Sequence, residues 1–334
     1  GPLGPYGPTG PIGLAGPTGH KQWDPVMIPP VNWSARNFTT VPYSFASGTP
    51  QDMVYDGKYL WVADNVNDMV TQMVADTGQF IQNISGPFAS PQGGVFDGIH
   101  IWFANLNNGT VTGLNLDGSL FTIVIGMVNP VYLTYDGTHI WVTDVGNNSV
   151  ARFNATTGTG LIVFGAGGGA PYNFDTPTSI IFDGSRLWIA NNSAIAKSVV
   201  QISTSGIYLQ TLTGAPYNFT LPYTMAFDGV HIWVTDLFNQ VVGFDTSGTY
   251  FATLTGAPYN FNVPNSIAFD GLNIWVGNVN GGTITVFRAS DGAFVRLLSG
   301  ATYGLSPFNG PYWLTYDGTY IWVSQAAKIT KIFV

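Results

Sequence analysis

Four histidines, eighteen aspartates and neither glutamate nor cysteine bound the chemistry open to this chain. Thiolate nucleophiles, disulfides and Cys–zinc sites are excluded together. The metalloprotease helix motif, the phosphate-binding GKS loop and a Ser/His/Asp arrangement are all absent. His20 lies in an N-terminal repeat, while His100, His139 and His231 each follow an Asp-Gly pair by two residues. Recurrence at equivalent turns marks these three as solvated turn residues rather than catalysts. General acid–base work would then fall to Asp or Tyr.

Two recurring constellations remain. The first is a polar ring: Asp64, Asn105, Asp144, Asn191, Asp236, Asn278 and Gln325 occupy one repeated position. Its carboxylates, Asp64, Asp144 and Asp236, could offer oxygen ligands to Ca²⁺. The same residue types also cap turns through side-chain to backbone bonds, with no cofactor. The second is the segment GAPYNF, at 169–174, 214–219 and 256–261, with a degenerate form around Tyr303. Tyr172, Asn173 and Phe174, Tyr217, Asn218 and Phe219, and Tyr259, Asn260 and Phe261 would together make an aromatic and amide surface. Such a surface suits a sugar, with CH faces on rings and hydroxyls on amides. Alternatively, the rings fold back over the protein.

These residues need a scaffold, and the sequence carries one seven times over. The pattern [YF]-D-G-x-x-[IL]-W recurs with aspartates at Asp56, Asp97, Asp136, Asp183, Asp228, Asp270 and Asp317. A tryptophan follows each by five residues, from Trp61 to Trp322. A period of about 40–45 residues built from short strands is the mark of a β-propeller. Each unit reads as four strands: Asp-Gly forms a hairpin turn after the first, and a second glycine turn precedes the fourth. The tryptophans should fill the wedges between blades. The seventh unit lacks its fourth strand, and the missing piece reads at residues 37–43. The expected fold is therefore all-β: a seven-bladed propeller of four-stranded blades over 37–334, with an N-terminal strand closing blade seven.

These units resemble bacterial propellers of the NHL and YVTN type, which share a [YF]-x-D-G-x-x-[IL]-W-V-[AT]-[ND] core. At the blade level they also look similar to the virginiamycin-inactivating lyases, which use His and Glu near the channel. The resemblance implies seven blades. Propellers of this kind serve as binding modules, structural parts, and some lyases and lactonases.

Glycine falls at every third position from Gly1 to Gly19, with Pro following at five of those seven. Only glycine fits the axis of three wound polyproline II chains, so residues 1–21 read as a collagen-like triple-helical stalk. The segment resembles the collagen-like parts of bacterial surface proteins and phage fibres; 22–36 reads as a linker. Net charge is −8, with ten Lys and Arg and no basic cluster. Nucleic acid is thus not an expected partner, and no apolar run is long enough for membrane insertion. The composition fits an extracellular, cell-surface or virion setting. The leading expectation is a non-enzymatic fibre protein: a homotrimer through residues 1–21, whose heads bind a surface glycan or receptor, or neighbouring copies in a filament. The alternative is an extracellular propeller lyase or lactonase using a metal in the channel.

Overall fold

The computed structural model describes residues 38–40, 48, 50–299 and 310–334. The expected stalk (1–21), the linker and Tyr303 lie outside the described residues. Those described build seven antiparallel sheets of four strands. Blades one to six run consecutively, each from an inner strand to an outer one. Their inner strands are Pro50–Tyr55, Pro91–Phe96, Pro130–Tyr135, Pro177–Phe182, Pro222–Phe227 and Pro264–Phe269. Blade seven takes Trp313–Tyr316, Tyr320–Gln325 and Lys328–Phe333 from the C-terminus and Phe38–Thr40 from the N-terminus. Phe38 pairs with Ile332 and Thr40 with Thr330, so the early strand closes the ring as the sequence predicts.

The Asp…Trp spacing has a specific cause. Asp56 Oδ1 accepts the amides of Lys58 and Tyr59 at 2.8 and 2.6 Å, which holds the hairpin turn. Its Oδ2 accepts the Trp61 indole N–H at 2.8 Å. Five residues is the distance at which the turn brings the indole back onto the carboxylate, and all seven units repeat the bond. Gly57 sits at φ 100°, a conformation that only glycine adopts without strain. All seven tryptophans are fully buried, each among residues of its own and the next blade. Trp322 joins Met53, Leu60 and Val62, so blade seven packs on blade one. An aromatic ring of this size, satisfied at its one polar atom, contributes on the order of 2–3 kcal/mol by burial.

Antiparallel order sorts the connections. The Asp-Gly turns and second glycine turns leave one end of the ring. The loops between strands two and three, and those between blades, leave the other. The sequence-predicted ring and the GAPYNF segments therefore share that second end.

Candidate active site at the channel mouth

Each inner strand of blades one to six opens with proline: Pro50, Pro91, Pro130, Pro177, Pro222 and Pro264. Proline has no amide to give the ladder, which suits the first residue of an edge strand. The ladder slips directly after each one, so the next one or two residues leave the regular pairing. Bulges re-aim side chains, and here they do so at the axis of the ring. In blade seven Pro311 is followed in the same way by Tyr312 and Trp313. Polar bonds tie this rim from blade to blade. Thr178 Oγ1 donates to the Tyr223 carbonyl at 3.1 Å, Thr224 Oγ1 to that of Asn265 at 3.0 Å, and Asn265 Nδ2 to that of Tyr312 at 3.2 Å. Ser324 Oγ closes the circle on the Gln51 carbonyl at 3.2 Å.

One carboxyl lies in this rim. Asp52 is only 2% exposed. Its oxygens accept the amides of Met53 and of Gly94 in the next blade, both at 2.7 Å. Burial outweighs these bonds and pushes its pKa up to about 8. The Trp313 indole N–H leans on the same carboxyl and opposes the shift, yet its geometry falls short of a hydrogen bond, leaving the buried nitrogen unpaired. The Trp313 ring stacks on Tyr132 with centroids 5.2 Å apart. Tyr132 is held well above its usual pKa, first by burial and then by Tyr223 and Asp52, so its hydroxyl stays a donor. Gly93 is side-chain-free for a reason: a Cβ there would stand 2.7 Å from the Tyr132 ring. Blades one, three, five and seven thus each send one residue to the same place: Asp52, Tyr132, Tyr223 and Trp313.

The other candidates are placed differently. Asp64, Asp144 and Asp236 are buried one to a blade: Asp64 holds the loop that follows it, and Asp144 and Asp236 hold the connection that enters their blade. Asp144 accepts the amides of Val128 and Asn129 at 2.9 and 2.8 Å, Asp236 those of Thr220 and Leu221, and Asp64 those of Val66 and Asn67. Among the described residues no group of three His, Cys, Asp or Glu could hold a metal ion. The three candidate carboxylates stand one to a blade, each accepting backbone amides, and the described residues do not bring them together.

In the GAPYNF segments the rings turn inward. Phe174, Phe219 and Phe261 are buried. Tyr172, Tyr217 and Tyr259 stack on them, with centroids 5.3–5.8 Å apart. Their hydroxyls donate to the carbonyls of Gly206, Gly248 and Gly292. Asn173, Asn218 and Asn260 remain exposed at positive φ. The histidines also differ from expectation. His100 is buried, with its ring stacked on Phe121 at 3.9 Å, and His231 stacks on Phe251 at 4.2 Å. A flat ring at that turn covers the Trp–Asp bond beside it.

No family model matches the chain, and no curated protein matches it. Solved structures do. A streptogramin B lyase superposes with a TM-score of 0.75 at 16% identity, covering 91% of this chain and 99% of that one. The virginiamycin B lyase of Staphylococcus aureus gives 0.72 at 16%, covering 90% and 100%. The hydrazine synthase of Kuenenia stuttgartiensis gives 0.71 at 16%, covering 86% and 96%. The fold is a seven-bladed propeller of the kind that streptogramin B lyases share. These matches correct the expectation of a non-enzymatic fibre protein, since the matched propellers carry the names of enzymes, two of them lyases; at 16% identity what they share with this chain is the fold. Among the described residues no helix is long and apolar enough to cross a membrane.

Proposed function

We propose that this chain is a propeller lyase whose acid–base group is Asp52 at the channel mouth. One observation carries the reading: a buried carboxyl with a pKa of about 8, set beside the Tyr132 hydroxyl, whose own pKa is held well above the usual value by burial. A base is most effective when its pKa lies near the working pH. In an elimination the Asp52 carboxylate takes the proton α to a carbonyl. The electron pair forms the new double bond, the bond to the leaving oxygen breaks, and the protonated Asp52 returns its proton to that oxygen or to water. The hydroxyls of Tyr132 and Tyr223 donate to the carbonyl oxygen as it gains negative charge. The names of the lyase neighbours support this reaction class.

The test is incubation with virginiamycin B, followed by mass spectrometry. An elimination leaves the total mass of the substrate unchanged, so a ring that it opens keeps its mass; a gain of one water would make the enzyme a hydrolase. Turnover should rise with pH through about 8, because the carboxylate is the working form. Asp52→Asn should lose at least about a hundredfold, the usual scale of a general base. A fully active Asp52→Asn, or a flat pH profile, rejects Asp52 as the base. Self-association through residues 1–21 and an extracellular setting stay proposals from the sequence alone, tested by light scattering with and without those residues.

A further inference from the structure

Among the described residues, five blades end in an outer strand of six residues: Phe80–Ser85, Leu120–Ile125, Tyr208–Thr213, Tyr250–Thr255 and Phe294–Ser299. Each pairs with strand three of its own blade, and its other side is the edge of the sheet. The register makes the five comparable position by position. Opposite the first residue of strand three stand Ser85, Thr213, Thr255 and Ser299, but in blade two Ile125. Two residues earlier stand Asn83, Thr211, Thr253 and Leu297, but in blade two Ile123. Residues two apart share one face of a strand. Blade two therefore puts two isoleucines where blades one, four and five keep that face polar. Ile125 is 72% exposed, Leu120 52% and Ile123 42%. No residue from 118 to 135 carries a charge. Proteins commonly blunt an open edge with charge or proline, and this edge has neither.

We infer that the outer edge of blade two, Leu120–Ile125, is where a second copy of this chain pairs. The two strands lie antiparallel across a two-fold axis and join two four-stranded blades into one continuous sheet. The edge itself selects this occupant. Its row of amides and carbonyls takes another extended backbone, which pairs with them in series. A second copy supplies that backbone with the same apolar face, so isoleucine meets an apolar side chain across the axis. Charge selects it too. Each copy carries a net charge of −8, so copies repel at long range. A two-fold contact also sets any charge near its centre beside its own like, at a cost. The stretch between Asp117 and Asp136 meets this condition, since it has no charge to oppose. Six residues span roughly 20 Å. A contact so short lies at the weak end of protein interfaces, so the pair forms as concentration rises. The edge is remote in the blade from Asp52, which stands on the inner strand, and the inference holds whether or not the chain is a lyase.

Sedimentation of the full chain reads the pairing. The parent's mass should double as its concentration is raised. Ile125→Thr gives blade two the residue that blades four and five have at this place, and Ile125→Lys sets like charges across the axis. The side chain is exposed, so both variants should melt with the parent, and neither should double in mass. Association through residues 1–21 would raise the mass of all three proteins alike, so the difference between parent and variants isolates the edge. Hydrogen exchange places the contact without any substitution. Amides of Leu120–Ile125 should exchange more slowly in the parent as concentration rises, while those of Tyr250–Thr255, the outer strand of blade five, should not change. One mass for parent and variants at every concentration would overturn the inference and leave the edge to another segment or another partner. So would a doubling that survives Ile125→Lys, or a doubling with no slowing along Leu120–Ile125, since either puts the contact on a different face.

Discussion

At the scale of single residues, Asp52 shows how far a repeat conceals its exceptions. The seven turn aspartates are uniform, and each is held by backbone amides and an indole. Asp52 stands four residues before one of them, where the other blades place Gly93, Tyr132, Ser179, Thr224, Ser266 and Trp313. The one available signal was this departure from the repeat, together with the proline that recurs two residues earlier. The fact that makes Asp52 matter, burial against a second blade, is tertiary and invisible in the sequence. Its burial also fixes a pH dependence of stability. In the unfolded chain the carboxyl ionises near 3.8; in the folded chain it holds its proton until about 8. Between those values the folded state binds the extra proton, so stability falls as pH rises, by up to about 1.4 kcal/mol per pH unit. Asp52→Asn removes the titration. Its stability relative to the parent should therefore climb from pH 4 to pH 8 in urea unfolding. Two parallel stability curves would show that Asp52 is not held protonated.

At the scale of elements, the GAPYNF segment was legible as a recurring unit but not in its direction. Composition identified an aromatic, amide-bearing loop. It could not say whether the rings face solvent or the blade below. The outcome follows from reach: each tyrosine hydroxyl finds a glycine carbonyl in the second turn of the following blade, and its ring lies on a buried phenylalanine. The segment therefore works as a strap between neighbouring blades, and its exposed asparagine is what the turn leaves over. The same limit explains the histidines, whose spacing fixed their turn but not the stacking partners Phe121 and Phe251, brought in from outer strands. If Tyr217 is a strap, Tyr217→Phe should cost about 1 kcal/mol for the lost hydrogen bond. Tyr217→Ala should cost about 3 kcal/mol, as the ring contacts go too. Chemical denaturation of the two variants measures this. Loss in neither would return the tyrosines to the list of surface residues free to bind a ligand.

At the scale of the whole molecule, periodicity carried nearly everything. Seven Asp-Gly pairs, seven tryptophans and one missing strand specify both the blade count and the place where the ring must close. What periodicity cannot supply is the pairing of the closing element, of which the described residues Phe38–Thr40 lie against the strand Lys328–Phe333. Among the described residues, three are paired. They nonetheless cover the outer edge of the one blade that joins the two ends of the chain, and an uncovered edge invites pairing with other copies. Closure should therefore act on stability and solubility together. Compare a chain that begins at residue 37 with one that begins at residue 48. Both lack residues 1–36, so their difference isolates the closing strand and its connection. The shorter chain loses the ladder bonds from Phe38 to Thr40, on the order of 3 kcal/mol at about 1 kcal/mol each. It also leaves the polar groups of Lys328–Phe333 open to other molecules. It should melt earlier and form larger species as concentration rises, by scanning calorimetry and light scattering. Equal melting and a monomer at every concentration would mean that blade seven holds with three strands, and that the ring is closed by the Trp322 packing on blade one alone.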